Sequence, residues 1–171
     1  TTEGTRHGPT LSWRGFADRT YYHQNSSGEY LDVSGCGNSI AANQPISTQL
    51  ILESMRCWAL ELGVDGFRFD LGIALSRGNQ LKPLDEPPLF SAIEADPELS
   101  DLKLVSEPWD CGGLYRLEDF PAQRIGTWNG HFRDGMRRFW KGDDHSTWSL
   151  AQQFKGSPDL YDGKPVALGR S

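Results

Sequence analysis

The stretch VDGFRFDL, residues 64–71, decides how the rest of the sequence is interpreted. In an extended strand, successive side chains point to opposite faces. One face would carry Asp65, Phe67, Phe69 and Leu71, and its aromatic and aliphatic groups suit a surface covered by helices. The other face would carry Val64, Gly66, Arg68 and Asp70. The stretch therefore predicts a strand that is buried on one face and carries two charged groups on the other.

Arg68 and Asp70 would lie two residues apart, roughly 6.5–7 Å along such a strand. A guanidinium at that distance favours an ionised carboxylate, which a nucleophilic aspartate requires. A structural ion pair is the alternative, but charges are uncommon inside parallel sheets and costly to bury there. At the C-terminal end of a strand the pair would face a cleft instead. Spacing alone leaves both interpretations open.

The helical pattern lies before this strand. A helix is predicted from Pro45 to Leu62, with Asn43 as its N-cap and Gly63 as its stop signal. Its helical spacing predicts four core residues, which are Ile51, Met55, Trp58 and Leu62. Residues 1–43 carry many glycines and little periodicity, and they predict a long loop. The aromatic residues of that loop either form a small core of their own or stack on sugars.

The segments after residue 71 alternate between strand and helix. A second strand is predicted at residues 102–107 and a weaker third one at residues 124–128. Helices are predicted at residues 88–95 and 133–141. Alternation of this kind is typical of β-α-β units with a parallel sheet, so the predicted fold class is α/β.

Glu107 repeats the geometry of Asp70, because it ends an apolar strand and Pro108 follows it. The C-terminal ends of parallel strands form the ligand site in such folds. Two carboxylates at neighbouring strand ends suit glycoside hydrolysis, in which one attacks and the other moves a proton. Trp109 could exclude water from the acid, stack on a sugar ring or simply pack.

Composition excludes several classes of protein. The net charge is −6 without runs of lysine or arginine, which argues against a nucleic acid partner. No segment is long and apolar enough to span a membrane, and no signal peptide pattern is present at Thr1 to Pro9. The three cysteines and four histidines lack metal-ligand spacing, so reduced thiols, no metal and no cofactor are expected.

Residues 66–70 (GFRFD) resemble the fourth-strand motif of the α-amylase superfamily, and residues 106–109 (SEPW) resemble its fifth-strand motif. Further stretches resemble the isoamylase and bacterial glycogen-debranching group, namely residues 8–15, 21–22, 35–38, 107–110 and 128–134. Ala41 and Gln44 depart from that group, whose members often carry Asn and His there. The resemblance implies a (β/α)8 TIM barrel, of which residues 1–171 would be a partial catalytic domain with about strands 4 to 6. The third- and seventh-strand motifs would lie before and after this chain.

The resemblance also implies a function. Asp70 would be the nucleophile, Glu107 the general acid/base and Arg68 a catalytic partner, while Trp109, Asp110 and Tyr22 would bind substrate. The expected reaction is hydrolysis of α-1,6 branch linkages in glycogen or a starch-like α-glucan with retention. Another α-glucan hydrolase, such as a trehalose-releasing one, a non-catalytic glucan-binding paralogue, and a segment without its own function remain alternatives. The expected location is the cytoplasm, with a plastid as second choice.

Overall fold

A computed structural model describes residues 12–161 and shows an α/β arrangement around a parallel sheet. Three strands lie in the order β1 (Gly66–Phe69), β2 (Lys103–Ser106) and β3 (Gly126–Thr127). The α-helices are α1 (Arg14–Tyr21), α2 (Pro45–Arg56), α3 (Pro88–Ala95), α4 (Gly130–Lys141), α5 (Ser146–Phe154) and α6 (Pro158–Tyr161). The predicted α/β class and all three predicted strands are confirmed, although each strand is shorter than predicted.

The predicted helix at residues 45–62 is confirmed, but its last turn differs from an α-helix. After Arg56 the chain continues as a π-helical turn over Cys57–Glu61, and Gly63 ends it with a φ of +71°. Gln44, rather than Asn43, occupies the N-cap position. Met55 is buried and Ile51 packs against the core, whereas the prediction of a core position was wrong for Trp58 and Leu62, which are exposed. A π turn widens the helix, so the 3.6-residue spacing no longer indicates the buried face.

The predicted loop over residues 1–43 was wrong in one part, because residues 14–21 form α1. Residues 1–11 lie outside the described residues. Aromatic rings at the start of α1 contact one another, with Trp13 and Tyr21 centroids 5.3 Å apart. Tyr22 lies edge-on to Tyr30 at 6.0 Å, so part of this segment forms a small aromatic cluster.

The core lies on one face of the sheet, where α2 and α3 cover β1 and β2. Phe69 and Leu104 point into it from the strands, and Phe90 packs against both Phe69 and Phe120. The predicted alternation along β1 is thus confirmed for Phe67 and Phe69, which both belong to this cluster. Gly66 allows β1 to approach β2 closely, because a Cβ there would lie 2.1 Å from the Lys103 carbonyl oxygen. Close pairing of β1 and β2 brings their C-terminal ends together.

Within residues 12–161, none of the helices has the length and apolar character needed to cross a bilayer.

Candidate active site

Asp70 and Glu107 follow directly on the C-terminal ends of the neighbouring strands β1 and β2. The parallel register pairs Phe69 with Ser106, so the next residue of each strand is one of the two carboxylates. The Glu107 N–H also donates to the Phe69 carbonyl at 3.2 Å. Strand register therefore places both carboxylates at one edge of the sheet, as the sequence predicted.

Arg68 connects the two carboxylates. Its Nη1 donates to Asp70 Oδ1 and its Nη2 to Glu107 Oε1, each at 2.5 Å. Burial lowers the pKa of Arg68, but the hydrogen bonds and negative charges of Asp70 and Glu107 outweigh it and raise that pKa above its ordinary value. Arg68 therefore stays charged and holds the two carboxylates next to each other.

The two carboxylates differ in exposure. The Asp70 side chain is 75% exposed, whereas that of Glu107 is 11% exposed. Glu107 Oε2 accepts a 2.7 Å hydrogen bond from the Leu71 N–H, which the turn after β1 directs at it. Leu71 has a φ of +42°, so the predicted strand ends before it and the chain turns sharply. Gly72 makes the turn possible, because a Cβ there would lie 2.0 Å from Ser106 Oγ.

Two tryptophans flank these carboxylates. The Arg68 guanidinium lies 4.8 Å from the centre of the Trp128 ring. The backbone N–H of Trp128 donates to the Ser106 carbonyl oxygen. Trp109 lies beneath the Arg133 guanidinium, also at 4.8 Å, and edge-on to Tyr115 at 6.0 Å. Trp109 and Tyr115 belong to the lining of a cavity of about 240 Å³ that also includes His131. An open aromatic surface therefore lies next to the buried acid.

Asp110 was predicted to bind substrate, and the structure places it in a buried ion pair. Its side chain has 0% exposure and pairs with Arg77 at 2.7 Å. Its other oxygen accepts the backbone N–H groups of Gly112 and Leu114 at 2.8 and 3.0 Å. These contacts occupy both oxygens and shape the loop after Glu107, whereas the predicted role of Asp110 in substrate binding stays a prediction.

Tyr22 is buried and lines a different cavity from the one beside Trp109. Its backbone pairs with Ile40, and its side chain lines a polar cavity of about 350 Å³ together with His23 and Gln24. None of Arg68, Asp70 and Glu107 belongs to the described lining of that cavity. Thus the structure brings together Arg68, Asp70 and Glu107, while Trp109 and Tyr22 line two separate cavities.

Sequence reasoning missed the contact of Trp128 with Arg68 and the hydrogen bond from Leu71. Trp128 follows β3 as Glu107 follows β2, so its place at a strand end was a usable signal. The backbone conformation of Leu71 had no such signal, since leucine rarely adopts a positive φ.

Residues 12–161 show no metal centre. Between residues 12 and 161, no group of three or more His, Cys, Asp or Glu side chains converges as metal ligands would. The three cysteines are exposed thiols. The described site therefore consists of carboxylates, a guanidinium and aromatic rings.

Known proteins resemble this chain over most of its length. No family model matches it. Isoamylase 3, chloroplastic, from Oryza sativa subsp. japonica is 47% identical over 153 residues, which cover 88% of this chain and 20% of the relative. A glycogen debranching enzyme from Serratia proteamaculans is 44% identical over 156 residues, which cover 91% and 23%. The chain is similar to isoamylases and glycogen debranching enzymes over most of its own length. It spans about a fifth of the length of these curated relatives.

Solved structures show a similar fold. A pullulanase from Anoxybacillus sp. LM18-11 complexed with maltotriose matches 82% of this chain at 25% identity, with a TM-score of 0.59 and 21% of the pullulanase covered. Pullulanase type I from Bacillus subtilis, complexed with maltose, gives a TM-score of 0.60 at 24% identity over 81% of the chain and 20% of the pullulanase. The predicted resemblance to debranching enzymes is confirmed.

Proposed function

We propose that the full-length protein carrying this chain is a retaining glycoside hydrolase that cleaves α-1,6 branch linkages of glycogen or a starch-like α-glucan. Residues 1–171 would supply about strands 4 to 6 of a (β/α)8 barrel. The observation that carries the proposal is the bridge from Arg68 to Asp70 and Glu107 at adjacent parallel strand ends. The names of the relatives support the substrate class.

In the first step Asp70 attacks the anomeric carbon while Glu107 gives its proton to the departing glycosidic oxygen. One C–O bond breaks, and a covalent glycosyl–Asp70 ester forms. In the second step Glu107, now ionised, removes a proton from water, and the water oxygen displaces Asp70 from the anomeric carbon. The exposure of Asp70 suits a nucleophile that must meet a large substrate, and the shelter of Glu107 suits an acid.

Glu107 must carry a proton before it can act as the acid. In the free site each of its oxygens accepts one N–H donor, from Arg68 and from Leu71, so each keeps a second lone pair that a proton can use. A neutral carboxyl group binds a guanidinium less strongly than a carboxylate does, and the Leu71 N–H is fixed in the backbone, so we expect Arg68 to withdraw from Glu107 when substrate enters. It would keep its contact with Asp70 in that state.

Trp109 would contribute to substrate binding through its aromatic cavity. Aromatic rings stack on the apolar faces of sugars, and the cavity around Trp109 and Tyr115 lies beside the residue that protonates the leaving group. We place the leaving chain there. Tyr22 would contact a more distant part of the glucan, whereas Asp110 would act only by shaping the loop.

The decisive experiment measures release of linear chains from glycogen by the full-length protein and its Asp70→Asn and Glu107→Gln variants. Each variant should lose several orders of magnitude in kcat, because each lacks one half of the acid–nucleophile pair. Glu61→Gln is the matched control, since Glu61 is exposed at the far end of the helix before β1. Near-normal turnover by either site variant would exclude the mechanism. Equal activity on linear maltodextrin would point to another α-glucan hydrolase.

A non-catalytic glucan-binding protein is the second candidate. The observation that favours it is that Arg68 and the Leu71 N–H both donate to Glu107, contacts that a carboxylate with a purely structural role would also make. Such a protein would bind glycogen without releasing chains, and Glu107→Gln would leave its affinity almost unchanged. We further propose that the protein acts in the cytoplasm, with a plastid as second choice because the rice relative is named chloroplastic.

A further inference from the structure

A second polar cavity, the His23 cavity, is lined in part by Tyr22 and takes no part in the two bond-making steps described above. Its volume is about 350 Å³, within the range of small-molecule sites. Its polar side chains come from two segments, residues 19–26 and 79–80, with Gln44 between them. Amides predominate, and Arg19 is the one Lys, Arg, Asp or Glu among the described lining residues. Such a surface matches the many donors and acceptors of a neutral polyol rather than an anion.

The topology puts the His23 cavity at the same edge of the sheet as the carboxylates. Residues 79–80 follow the C-terminal end of β1 through a short helical turn, Gly72–Ser76. Helix α2 leads into β1 through a tight turn and so runs back along the sheet, which puts its start at Pro45 near the end of β1. A hydrogen bond from Asn43 Nδ2 to Asn79 Oδ1, at 3.2 Å, joins the two segments there.

His23 lines this cavity and carries a buried polar atom that has no partner among the described residues. The residue is 5% exposed, and its Nε2 is buried without a hydrogen-bond partner among the described residues. Buried polar atoms in folded proteins nearly always have a partner. Burial and the nearby Arg77 charge lower the pKa of His23, so the imidazole is neutral near pH 7. A neutral imidazole offers one donor and one acceptor, the pair that a sugar hydroxyl satisfies.

We infer that the His23 cavity binds glucosyl hydroxyl groups of an α-glucan chain at a distance from the bond that is cleaved. The choice of an α-glucan as ligand rests on the proposed function, whereas the cavity and its unpaired nitrogen do not. A chain held there would be anchored on the catalytic face. The cavity would then raise affinity for long outer chains over short ones.

Two substitutions test the inference in the full-length protein. His23→Phe keeps a flat ring but removes both nitrogens. Gln80→Gly removes an amide from the cavity wall and suits the backbone, because Gln80 has a φ of +56°. Gln49→Ala is the matched control, since Gln49 is an exposed amide on α2 outside the described cavity lining. All variants are made in an Asp70→Asn background, so that maltoheptaose is bound without turnover.

The measurements are the dissociation constant of maltoheptaose and the hydrogen–deuterium exchange of residues 22–26 and 79–81. We expect maltoheptaose to slow exchange in both segments. His23→Phe and Gln80→Gly should each weaken its binding about two- to tenfold, as loss of one or two hydrogen bonds predicts. Gln49→Ala should bind like the parent. Unchanged exchange in both segments, or unchanged affinity in a folded Gln80→Gly variant, would overturn the inference.

Glycogen debranching by the protein with Asp70 intact is measured separately. If the protein debranches while the cavity segments show no protection, the inference fails and the proposed function stands. If maltoheptaose protects the cavity while the protein releases no chains, the proposed function fails and the cavity stands as a glucan-binding site.

Discussion

The region around strands β1 and β2 and the region around strand β3 differ sharply in how well they are packed. On the side of β1 and β2, Leu89, Phe90 and Ile93 of α3 are all 0% exposed. On the side of β3, Trp140 and Trp148 of α4 and α5 are 77% and 70% exposed. The α4–α5 pair also leaves a cavity of about 600 Å³ beside β3. One side is a closed core, and the other presents aromatic surface.

This difference explains how the candidate site is held. Asp70 and Glu107 extend from the strands that the closed core covers, and β1 and β2 pair over four residues. Trp128 and the Trp109 cavity depend partly on β3 and α4, where strand pairing covers only two residues. The acid and the nucleophile therefore lie on the closely packed strands β1 and β2. The aromatic surface beside them is formed partly by the less closely packed β3 and α4.

The largest expected effect on stability comes from removing a core side chain next to the strands that carry the carboxylates. Phe90→Ala should reduce the free energy of unfolding by about 3–5 kcal/mol, because Phe90 is completely buried between Phe69 and Phe120. Urea unfolding followed by far-UV circular dichroism measures it. Phe139→Ala, on α4 at 36% exposure, is the comparison and should cost much less. Equal losses would mean that the two sides are equally packed.

A smaller but still large effect should follow from breaking the buried Arg77–Asp110 pair. Asp110→Asn keeps a similar shape but leaves the Arg77 charge buried without its partner, so we expect a loss of about 3 kcal/mol. Asp143→Asn is the matched control, because the Lys141–Asp143 pair lies at the surface and should contribute no more than about 1 kcal/mol. The same urea titration measures both variants. If Asp110→Asn left the free energy of unfolding unchanged, Asp110 would again be a candidate substrate ligand.

The strand ends could be predicted because their signals are local. Apolar alternation in residues 64–69 and the charge of Asp70 indicate a strand that stops at the sheet edge, and Glu107 before Pro108 repeats this. The resemblance to debranching enzymes rested on the same residues. Parallel pairing then brings the two carboxylates together without further information.

The remaining features depend on contacts distant in sequence or on backbone conformation. Asp110 follows Trp109 directly, but its burial is determined by Arg77, 33 residues earlier. Trp58 obeys helical spacing, yet the π turn turns it outward. The positive φ of Leu71 arises where β1, the tight Gly72 contact and Glu107 meet. None of these has a marker within a short window of sequence.

The pH dependence of stability should reveal His23, which is buried. Its folded pKa is below the ordinary 6.5, owing to burial and to Arg77, so the unfolded chain binds more protons below pH 6.5. The stabilising effect is complete above pH 6.5 and is lost as the pH falls through the folded pKa, by at most about 1.4 kcal/mol per pH unit. Urea unfolding at pH 7.5, 6.5 and 5.5 measures this slope.

His23→Gln should flatten the slope over this range, since Gln does not titrate. Asp32 and Asp134 do not interfere, because their folded pKa values lie below 3.8 and their effect appears at lower pH. An unchanged slope in His23→Gln would mean that His23 takes up its proton as readily in the folded chain as in the unfolded one.

The smallest effect is expected where aromatic surface is exposed. Trp148→Ala should change the free energy of unfolding of the 171-residue chain by no more than about 0.5 kcal/mol, because the side chain of this 70% exposed residue gains little from folding. The informative measurement repeats the substitution in the full-length protein. A loss of more than about 2 kcal/mol there would show that other parts of the polypeptide cover α5, since only burial of the ring produces such a cost. A small loss of unfolding free energy in both the 171-residue chain and the full-length protein would mean that α5 stays exposed to solvent. The difference in packing between the β1–β2 region and the β3 region would then be present in the complete protein as well.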